Sequence, residues 1–304
     1  MSLRNWLAFA FVATTWGTTF FWYKLTLREM PPEAVLFYRT GFGTLTLAVA
    51  ALWLRPRWRA PWRAWVAFVF FGVFNLALPQ WLIIWSERWV DSGMTAVMLA
   101  ATPLLTLLAA RPLLADEPVT PRRLVAIALG FAGVALLVSH SLRLGESGAL
   151  QGQLAQLGAA LCFALTSVLA RWMGAGMAPL PQALVAAASG SVFAGALVAG
   201  SIGVPPLPAS ALSWSAVLFL GVVINGAAWL MFVALLASVG PTQTQMISYV
   251  VPLVAVALGV IVLGEPLRPE LAGGGALVLL ALALSQRAQG AARAAQPPSP
   301  RSTA

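Results

Sequence analysis

Long apolar stretches alternate with short polar breaks along the whole chain. A helix needs about 20 residues to cross the hydrocarbon core of a bilayer, and charges, prolines and glycines mark the breaks between stretches of roughly this length. The pattern predicts ten helices, over residues 6–24, 33–54, 64–86, 93–114, 121–139, 153–172, 181–201, 214–236, 242–263 and 269–286. The stretches are continuous rather than alternating, which argues against a transmembrane β-barrel. The predicted fold class is therefore an all-α integral membrane protein.

Composition supports this fold class. Of the 304 residues, 60% are hydrophobic and 9% are charged, whereas soluble domains carry about 25% charged residues. A soluble globule is excluded, and the single cysteine, Cys162, excludes a disulfide scaffold. The first stretch is too long for an ordinary signal peptide, so we expect it to be retained. The segment 287–304, rich in Ala, Pro, Ser and Arg, is expected to be a disordered cytoplasmic tail.

The net charge of +9 comes from basic residues that lie mostly between the apolar stretches. We therefore interpret it as a sign of how the chain is oriented in the membrane rather than of nucleic-acid binding. The densest basic run, 55–63, lies between two predicted helices, where anionic headgroups attract basic segments; the lipid bilayer is the expected partner. With the N-terminus inside, twelve basic residues fall on the cytoplasmic side and five on the other. Basic loops favour the cytoplasm, so both termini are predicted to be cytoplasmic.

The chain repeats itself at a nearly constant offset. Pro32-Glu33-Ala34 returns as Pro181-Gln182-Ala183, and Pro103-Leu104 returns as Pro252-Leu253. Glu117-Pro118-Val119-Thr120-Pro121 likewise returns as Glu265-Pro266-Leu267-Arg268-Pro269. A series of such matches indicates duplication. Each half holds five predicted helices, an odd number, so the second unit, 146–286, should be inverted relative to the first, 1–145, as in many secondary transporters.

These motifs resemble a known family. Trp16-Gly17-x-x-Phe20, Tyr38-Arg39 and the Glu-Pro-x-x-Pro sequences after the fourth and ninth helices are similar to those of the drug/metabolite transporter superfamily. The EamA type of bacterial inner-membrane exporter is the most similar. The resemblance implies ten helices around a central cavity and export of amino acids or related metabolites. The many tryptophans resemble exporters that accept aromatic amino acids, although aromatic residues are expected at both membrane interfaces in any case.

Two central prolines are the first candidate site. Pro103 and Pro252 each lack the amide that would bond the carbonyl four residues earlier, namely that of Leu99 or Ser248. Such a carbonyl must be buried in protein or face a wet cavity. Matching interruptions in two halves point to a transport site, while the alternative is a structural kink satisfied by a nearby hydroxyl.

Polar and aromatic residues at mid-depth are further candidates for substrate binding. Asn75 and Asn225 could bind cargo or join two helices. Trp16, surrounded by threonines that include Thr15, could stack on an aromatic cargo or pack against Gly17. The remaining candidates are Trp81, Met98, Trp229, Gln245, Ser248 and Tyr249.

Charged residues complete the picture. Arg39 is the one clear charge inside a predicted span. It could bind a cargo carboxylate, extend outward to the membrane surface, or pair with Glu33 or Glu87 as a gate; the structural pair is favoured. The predicted spans hold almost no interior acid, which favours a facilitator that is weakly coupled or uncoupled.

Other function classes fit the sequence less well. A phosphorylated cargo such as a nucleotide sugar should need a basic cluster, and Arg39 alone is available. One cysteine and one histidine make an intramembrane enzyme improbable. We therefore expect a carrier of small molecules without catalytic residues, metal or cofactor, acting as a monomer, and the remaining alternative is a scaffold that transports nothing.

Overall fold

A computed structural model describes residues 2–113, 121–144, 147–173, 178–244 and 246–294, and within these ranges the chain is helical with no strand. The helices are α1 Leu3–Gly17, α2 Thr19–Thr26, α3 Pro32–Leu54, α4 Trp62–Phe71, α5 Leu78–Ser86, α6 Ser92–Leu99, α7 Thr102–Leu113, α8 Pro121–Leu144, α9 Ser147–Met173, α10 Pro179–Ser201, α11 Ala211–Leu218, α12 Trp229–Val239, α13 Pro241–Thr244, α14 Ile247–Ile261 and α15 Pro269–Ala294. Two π-helical segments, π1 Gly72–Ala77 and π2 Phe219–Ala228, join α4 to α5 and α11 to α12.

The predicted helical membrane fold is confirmed at this level. Among the described residues, five helices are long and apolar enough to cross a membrane: Pro32–Leu54, Trp62–Ser86, Gly148–Leu169, Pro179–Ser201 and Ala211–Leu236. Four shorter apolar helices lie within Ser92–Thr106, Leu124–Ser139, Ile247–Ile261 and Pro269–Ser285. The number of crossings, ten, stays a prediction.

Helices of one half pack against helices of the other in matched pairs. Helix α3 packs against π2, while α10 packs against π1, and α3 and α10 contact each other. In the same way α1 packs against α14 while α9 packs against α6 and α7, and α8 packs against α15. Such an exchange of partners is what a duplicated chain with internal pseudo-symmetry produces. The inversion of one half stays a prediction.

Glycines bring the π-helical segments close to their partners. Gly72 of π1 lies so close to α10 that a methyl group there would overlap Ser189 and the carbonyl of Ala186. Gly221 of π2 lies equally close to α3, where a methyl group would be 3.0 Å from the Arg39 carbonyl oxygen. Close backbone approach through small residues is a common way for membrane helices to associate. These contacts place the side chains of π1 and π2 at the boundary between the halves.

Candidate functional site

A buried polar network crosses the boundary between the halves at Arg39. Arg39 of α3 is 5% exposed, and its Nη1 donates hydrogen bonds to the Tyr23 hydroxyl and to Oε1 of Gln80. Its Nη2 donates to Oδ1 of Asn225, at 3.2 Å. The Tyr23 hydroxyl also donates to Oε1 of Gln80, at 2.9 Å. Four helical segments, α2, α3, α5 and π2, therefore meet at one guanidinium.

The partners of Arg39 correct the favoured prediction of an ion pair with Glu33 or Glu87. Glu33 instead accepts a hydrogen bond from the indole of Trp81, at 3.2 Å, and the nearest cation to Glu87 is Lys24, at 3.7 Å. The three oxygen atoms that Arg39 contacts belong to uncharged side chains, which leaves a buried positive charge without a carboxylate. Burying such a charge is costly when it has no counter-ion, and a carboxylate can bind a guanidinium through two parallel hydrogen bonds. The network is therefore suited to bind an anionic group.

An aromatic cluster from both halves lies beside this network. The rings of Trp16 and Trp229 stack, with centroids 6.4 Å apart and planes at 29°. Phe232 completes the cluster, 5.0 Å from Trp16 and 5.7 Å from Trp229. All three side chains are half-buried. The structure thus brings together two predicted residues, Trp16 and Trp229, and adds one that the sequence pattern did not single out.

The aromatic cluster and the polar network are joined by packing and by short stretches of chain. Trp229 begins α12 four residues after Asn225 of π2. Trp16 packs against the buried cluster that includes Tyr23 and Ile224, the residue before Asn225. A guanidinium with amide neighbours therefore lies next to an aromatic wall.

The two prolines behave differently. Helix α6 ends at Leu99 and α7 begins at Thr102, so the helix is interrupted at Pro103. The hydroxyl of Thr102 donates to the Leu99 carbonyl at 2.7 Å, which satisfies the freed carbonyl locally and corresponds to the structural kink. Pro252, in contrast, lies inside α14. Within that helix Pro252 still lacks the amide that would bond the Ser248 carbonyl, so whether the two prolines form matching parts of a transport site stays a prediction.

Several predicted residues have structural partners. Asn75 of π1 donates to the Thr166 hydroxyl at 2.7 Å, and so joins π1 to α9. The Thr15 hydroxyl donates to the Phe11 carbonyl of its own helix at 2.6 Å. Met98 is fully buried. These contacts show how each side chain is packed, and whether any of them also binds cargo stays a prediction.

The last three predicted residues belong to the region where α14 begins. Ser248 and Tyr249 are half-buried in the first turn of α14. Gln245 lies outside the described residues. Val251 of the same helix packs against the cluster that includes Trp16, which puts the start of α14 on the same side as the aromatic wall.

A separate apolar cavity of about 480 Å³ lies among α7, α8 and α9. Its walls include Leu104, Gly130, Phe131, Val134 and Leu161. None of the predicted site residues lines it. Phe131 and Leu161 are exposed, which is the environment of a crevice that faces lipid rather than a polar cargo.

The sequence pattern did not single out Tyr23 and Gln80. Gln80 is the one polar residue in the run Leu76-Ala-Leu-Pro-Gln-Trp-Leu-Ile-Ile84, a signal that could have identified it. Glu87 directly follows α5 and was expected only as a partner for Arg39 at a helix end, yet it is 1% exposed. Burial at a helix end depends on the neighbouring helices, which the local pattern does not describe.

The chain is similar to a transporter family and to individual proteins named as transporters. The model of the EamA-like transporter family matches residues 4–139 and again 150–286, one match in each half. The uncharacterized transporter YvbV of Bacillus subtilis strain 168 is 26% identical over 297 residues, which cover 96% of this chain and 94% of that protein. The uncharacterized inner membrane transporter YedA of Escherichia coli strain K12 is 29% identical over 258 residues, with 83% and 80% covered.

A solved crystal structure has the same fold. It superposes with a TM-score of 0.63 at 21% sequence identity, and the match covers 97% of this chain and 100% of that one. At this level of identity the likeness extends to the fold alone.

Proposed function

Because the chain belongs to the EamA-like transporter family, we propose that it exports amino acids, including aromatic and hydrophobic ones, and related small metabolites. The observation that carries the proposal is the buried guanidinium of Arg39, which contacts uncharged oxygen atoms beside an aromatic cluster. The charged groups of a zwitterion are complementary to the polar network around Arg39, and an apolar or aromatic side chain is complementary to the aromatic cluster. This chemistry supports the proposed cargo class.

The network can recognise both charges of an amino acid. A cargo carboxylate would bind Arg39 through two hydrogen bonds and displace the amide oxygens of Gln80 and Asn225. Those two oxygens would then be free to accept hydrogen bonds from the cargo ammonium group. Exchange of partners would leave few polar groups unsatisfied, which keeps the cost of binding low.

The side chain of the cargo would lie against Trp16, Trp229 and Phe232. Stacked or tilted aromatic pairs contribute about 0.5–1.5 kcal/mol beyond the burial of their area. Because Trp16 belongs to the first half and Trp229 to the second, a cargo held between them would contact both halves. Rocking of the halves about this site would carry the cargo across the membrane.

Alternating access between two inverted five-helix halves, 1–145 and 146–286, is the proposed mechanism. The matched exchange of helix partners supports it. The proposed location is the bacterial inner membrane, with both termini cytoplasmic, which the distribution of basic residues supports, and the proposed unit is the monomer. The prediction of an uncoupled facilitator rests on the scarcity of acids inside the predicted spans; Glu87, which directly follows α5, is nonetheless buried.

A nucleotide sugar or another phosphorylated metabolite is the less favoured cargo. Recognition of several phosphate charges should need a cluster of buried cations. Among the residues that the structure describes, Arg39 is the one Lys or Arg that is buried.

The proposal is tested by counterflow of labelled amino acids in proteoliposomes. Arg39→Gln should weaken transport of an aromatic amino acid at least tenfold, since a bidentate charged contact is lost, and should affect its decarboxylated amine much less. Trp16→Ala should weaken aromatic cargo more than aliphatic cargo, whereas Trp53→Ala, on an 85% exposed residue, serves as the control. Unchanged aromatic transport by Trp16→Ala would remove Trp16 from the site. Equal flux with and without the protein would favour a scaffold.

A further inference from the structure

Glu87, which directly follows α5, carries a buried carboxyl group with weak pairing. It is 1% exposed, and neither carboxylate oxygen has a hydrogen bond of ordinary geometry among the residues that the structure describes. The nearby Thr95 hydroxyl, which donates to the Asp91 carbonyl, lowers the pKa of Glu87 by less than burial raises it. The Nζ of Lys24 lies 3.7 Å from Oε2. Lys24 instead donates to the carbonyl oxygens of Glu87 and Val90, at 2.7 and 2.6 Å. The ammonium group therefore caps the end of α5 and compensates the carboxylate only weakly.

The acid lies next to a contact that joins the halves. The carboxylate of Glu265 accepts hydrogen bonds from Ser92 N at 2.9 Å, from Ser92 Oγ at 2.7 Å and from Gly93 N at 3.4 Å. It thereby binds the N-terminus of α6, where the helix dipole favours an anion. We call this contact between Glu265 and Ser92-Gly93 the latch. Ser92 follows Glu87 by five residues, so the latch and the buried acid share one end of the bundle.

The other groups around Glu87 add more negative than positive charge. Helix α2 contributes Tyr23 and Lys24, the start of α6 contributes Asp91, and the latch contributes Glu265. The neighbouring amide of Gln156, on α9, donates to the hydroxyls of Ser86 and Thr95 and carries no charge.

The ionisable groups that α3 brings to α5 lie further along that helix. Glu33 binds Trp81, which precedes Glu87 by six residues. Arg39 binds Gln80, which precedes Glu87 by seven residues. With two carboxylates, Asp91 and Glu265, and one ammonium group close by, the neutral form of Glu87 is favoured. Burial raises the pKa of Glu87 to about 8, and the nearby Lys24 lowers it by less than burial raises it.

We propose that Glu87 is a proton-binding site, and that closing this end of the bundle takes up a proton which opening releases. On closing, an O–H bond forms between a carboxylate oxygen and a proton from water; on opening, water re-enters, the bond breaks and the proton returns to solvent. The proposal rests on the proposed alternating access. It gives the carrier a route by which a proton gradient can bias the direction of transport.

The direction in which pH shifts the closed and open populations follows from the linkage between proton binding and closing. The acid has its ordinary pKa near 4.5 when water reaches it and a higher pKa when the latch is closed. A proton therefore binds the closed form more tightly, and the closed form gains population as the pH falls from 8 to 6. Between pH 8 and pH 6 the closed form binds a proton, whereas Glu87 in the open form stays almost fully ionised. The ratio of closed to open molecules should therefore rise at least about tenfold over this range.

The test measures distances across the latch end in nanodiscs without cargo. Spin labels at Arg88→Cys and Leu267→Cys, in a Cys162→Ser background, report the closed and open populations by pulsed electron resonance. The wild-type background should close on acidification, whereas Glu87→Gln should have the same distribution at pH 6 and pH 8. Lys24→Gln should move the midpoint to higher pH, since it removes the cation that stabilises the carboxylate.

Glu29→Gln is the matched control. Glu29 is an exposed acid that also contacts the second half, where it accepts a hydrogen bond from Ser210 N at 3.1 Å. Hydrogen bonds from Ser213 and Ser210 hold the pKa of Glu29 below its usual range, so it stays charged from pH 6 to 8. Glu29→Gln should therefore keep the wild-type response to pH.

Two results would overturn the proposal: a wild-type distribution that ignores pH, or a Glu87→Gln variant that responds as the wild type does. If Glu87→Gln does not fold, infrared titration of the wild type decides, because a carboxyl that loses its proton near pH 4.5 rather than near 8 contradicts the site. Neither measurement uses cargo. A wrong cargo assignment would therefore leave this result intact, and a failed proton site would leave cargo flux intact.

Discussion

The contact between Gly72 and α10 gives the sharpest prediction for the fold. A methyl group on Gly72 would overlap the Ser189 hydroxyl and the carbonyl oxygen of Ala186, and would lie 2.8 Å from the carbonyl carbon. The Ser189 side chain can rotate away, but the Ala186 backbone cannot. Gly72→Ala must therefore push π1 away from α10.

Two opposing effects determine how much Gly72→Ala changes the free energy of unfolding. Overpacking a close contact costs about 1–3 kcal/mol, while replacing glycine by alanine within a helix gains about 0.5–1 kcal/mol. We expect Gly72→Ala to lower the free energy of unfolding by about 1–2 kcal/mol. Gly41→Ala is the matched control, because Gly41 lies within α3 and a methyl group there meets nothing within 4 Å. It should raise stability by up to about 1 kcal/mol.

The assay is unfolding in mixed micelles with increasing SDS, followed by tryptophan fluorescence. The two variants should differ by about 1–3 kcal/mol, the cost of overpacking, because the gain from replacing glycine by alanine in a helix is common to both. Transport should fall with Gly72→Ala and persist with Gly41→Ala, since only Gly72 lies at the boundary between the halves. Equal stability of the two variants would refute the close approach of π1 to α10.

Three further outcomes are expected. In a double-mutant cycle, Asn75→Leu and Thr166→Val should show a coupling of about 0.6 kcal/mol, the average for a hydrogen bond between membrane helices, and zero coupling would mean that the bond is not formed. Glu265→Gln should weaken the latch, because a neutral amide interacts less with a helix N-terminus, and distance measurements across the latch end should show more open molecules at pH 6; an unchanged distribution would contradict the latch. Thr102→Val should destabilise the protein by about 1–3 kcal/mol in SDS unfolding, because the Leu99 carbonyl would lose its partner; a neutral effect would mean that another group satisfies it.

The approximate positions of the helices were predictable because they depend on local properties, although residues 287–294, expected in a disordered tail, continue α15. Runs of apolar residues bounded by charges and prolines form helices in a bilayer for lack of any other backbone partner. The mid-depth location of Trp16 and Asn225 stays a prediction, because depth was obtained by counting residues along a helix. A count along the chain, however, does not say which direction a side chain faces.

The partners of these residues were not predictable for that reason. Arg39 was expected to pair with an acid, yet it contacts Asn225, 186 residues away in the chain. Pro103 and Pro252 occupy matching positions in the repeat, yet Pro103 lies at the start of α7, after a break, and Pro252 lies inside α14. A repeated sequence thus indicates a repeated helix order without requiring the same local geometry.

The amino-acid sequence by itself determined that this is a helical membrane protein made of two related halves, because apolar length and repeated motifs are properties of the chain alone. Only the tertiary structure decided that Arg39 has uncharged partners among the described residues, that Trp16 stacks on Trp229, and that Glu87 is buried. Burial and pairing depend on which helices become neighbours. That choice is made by packing over the whole bundle, and no short segment encodes it.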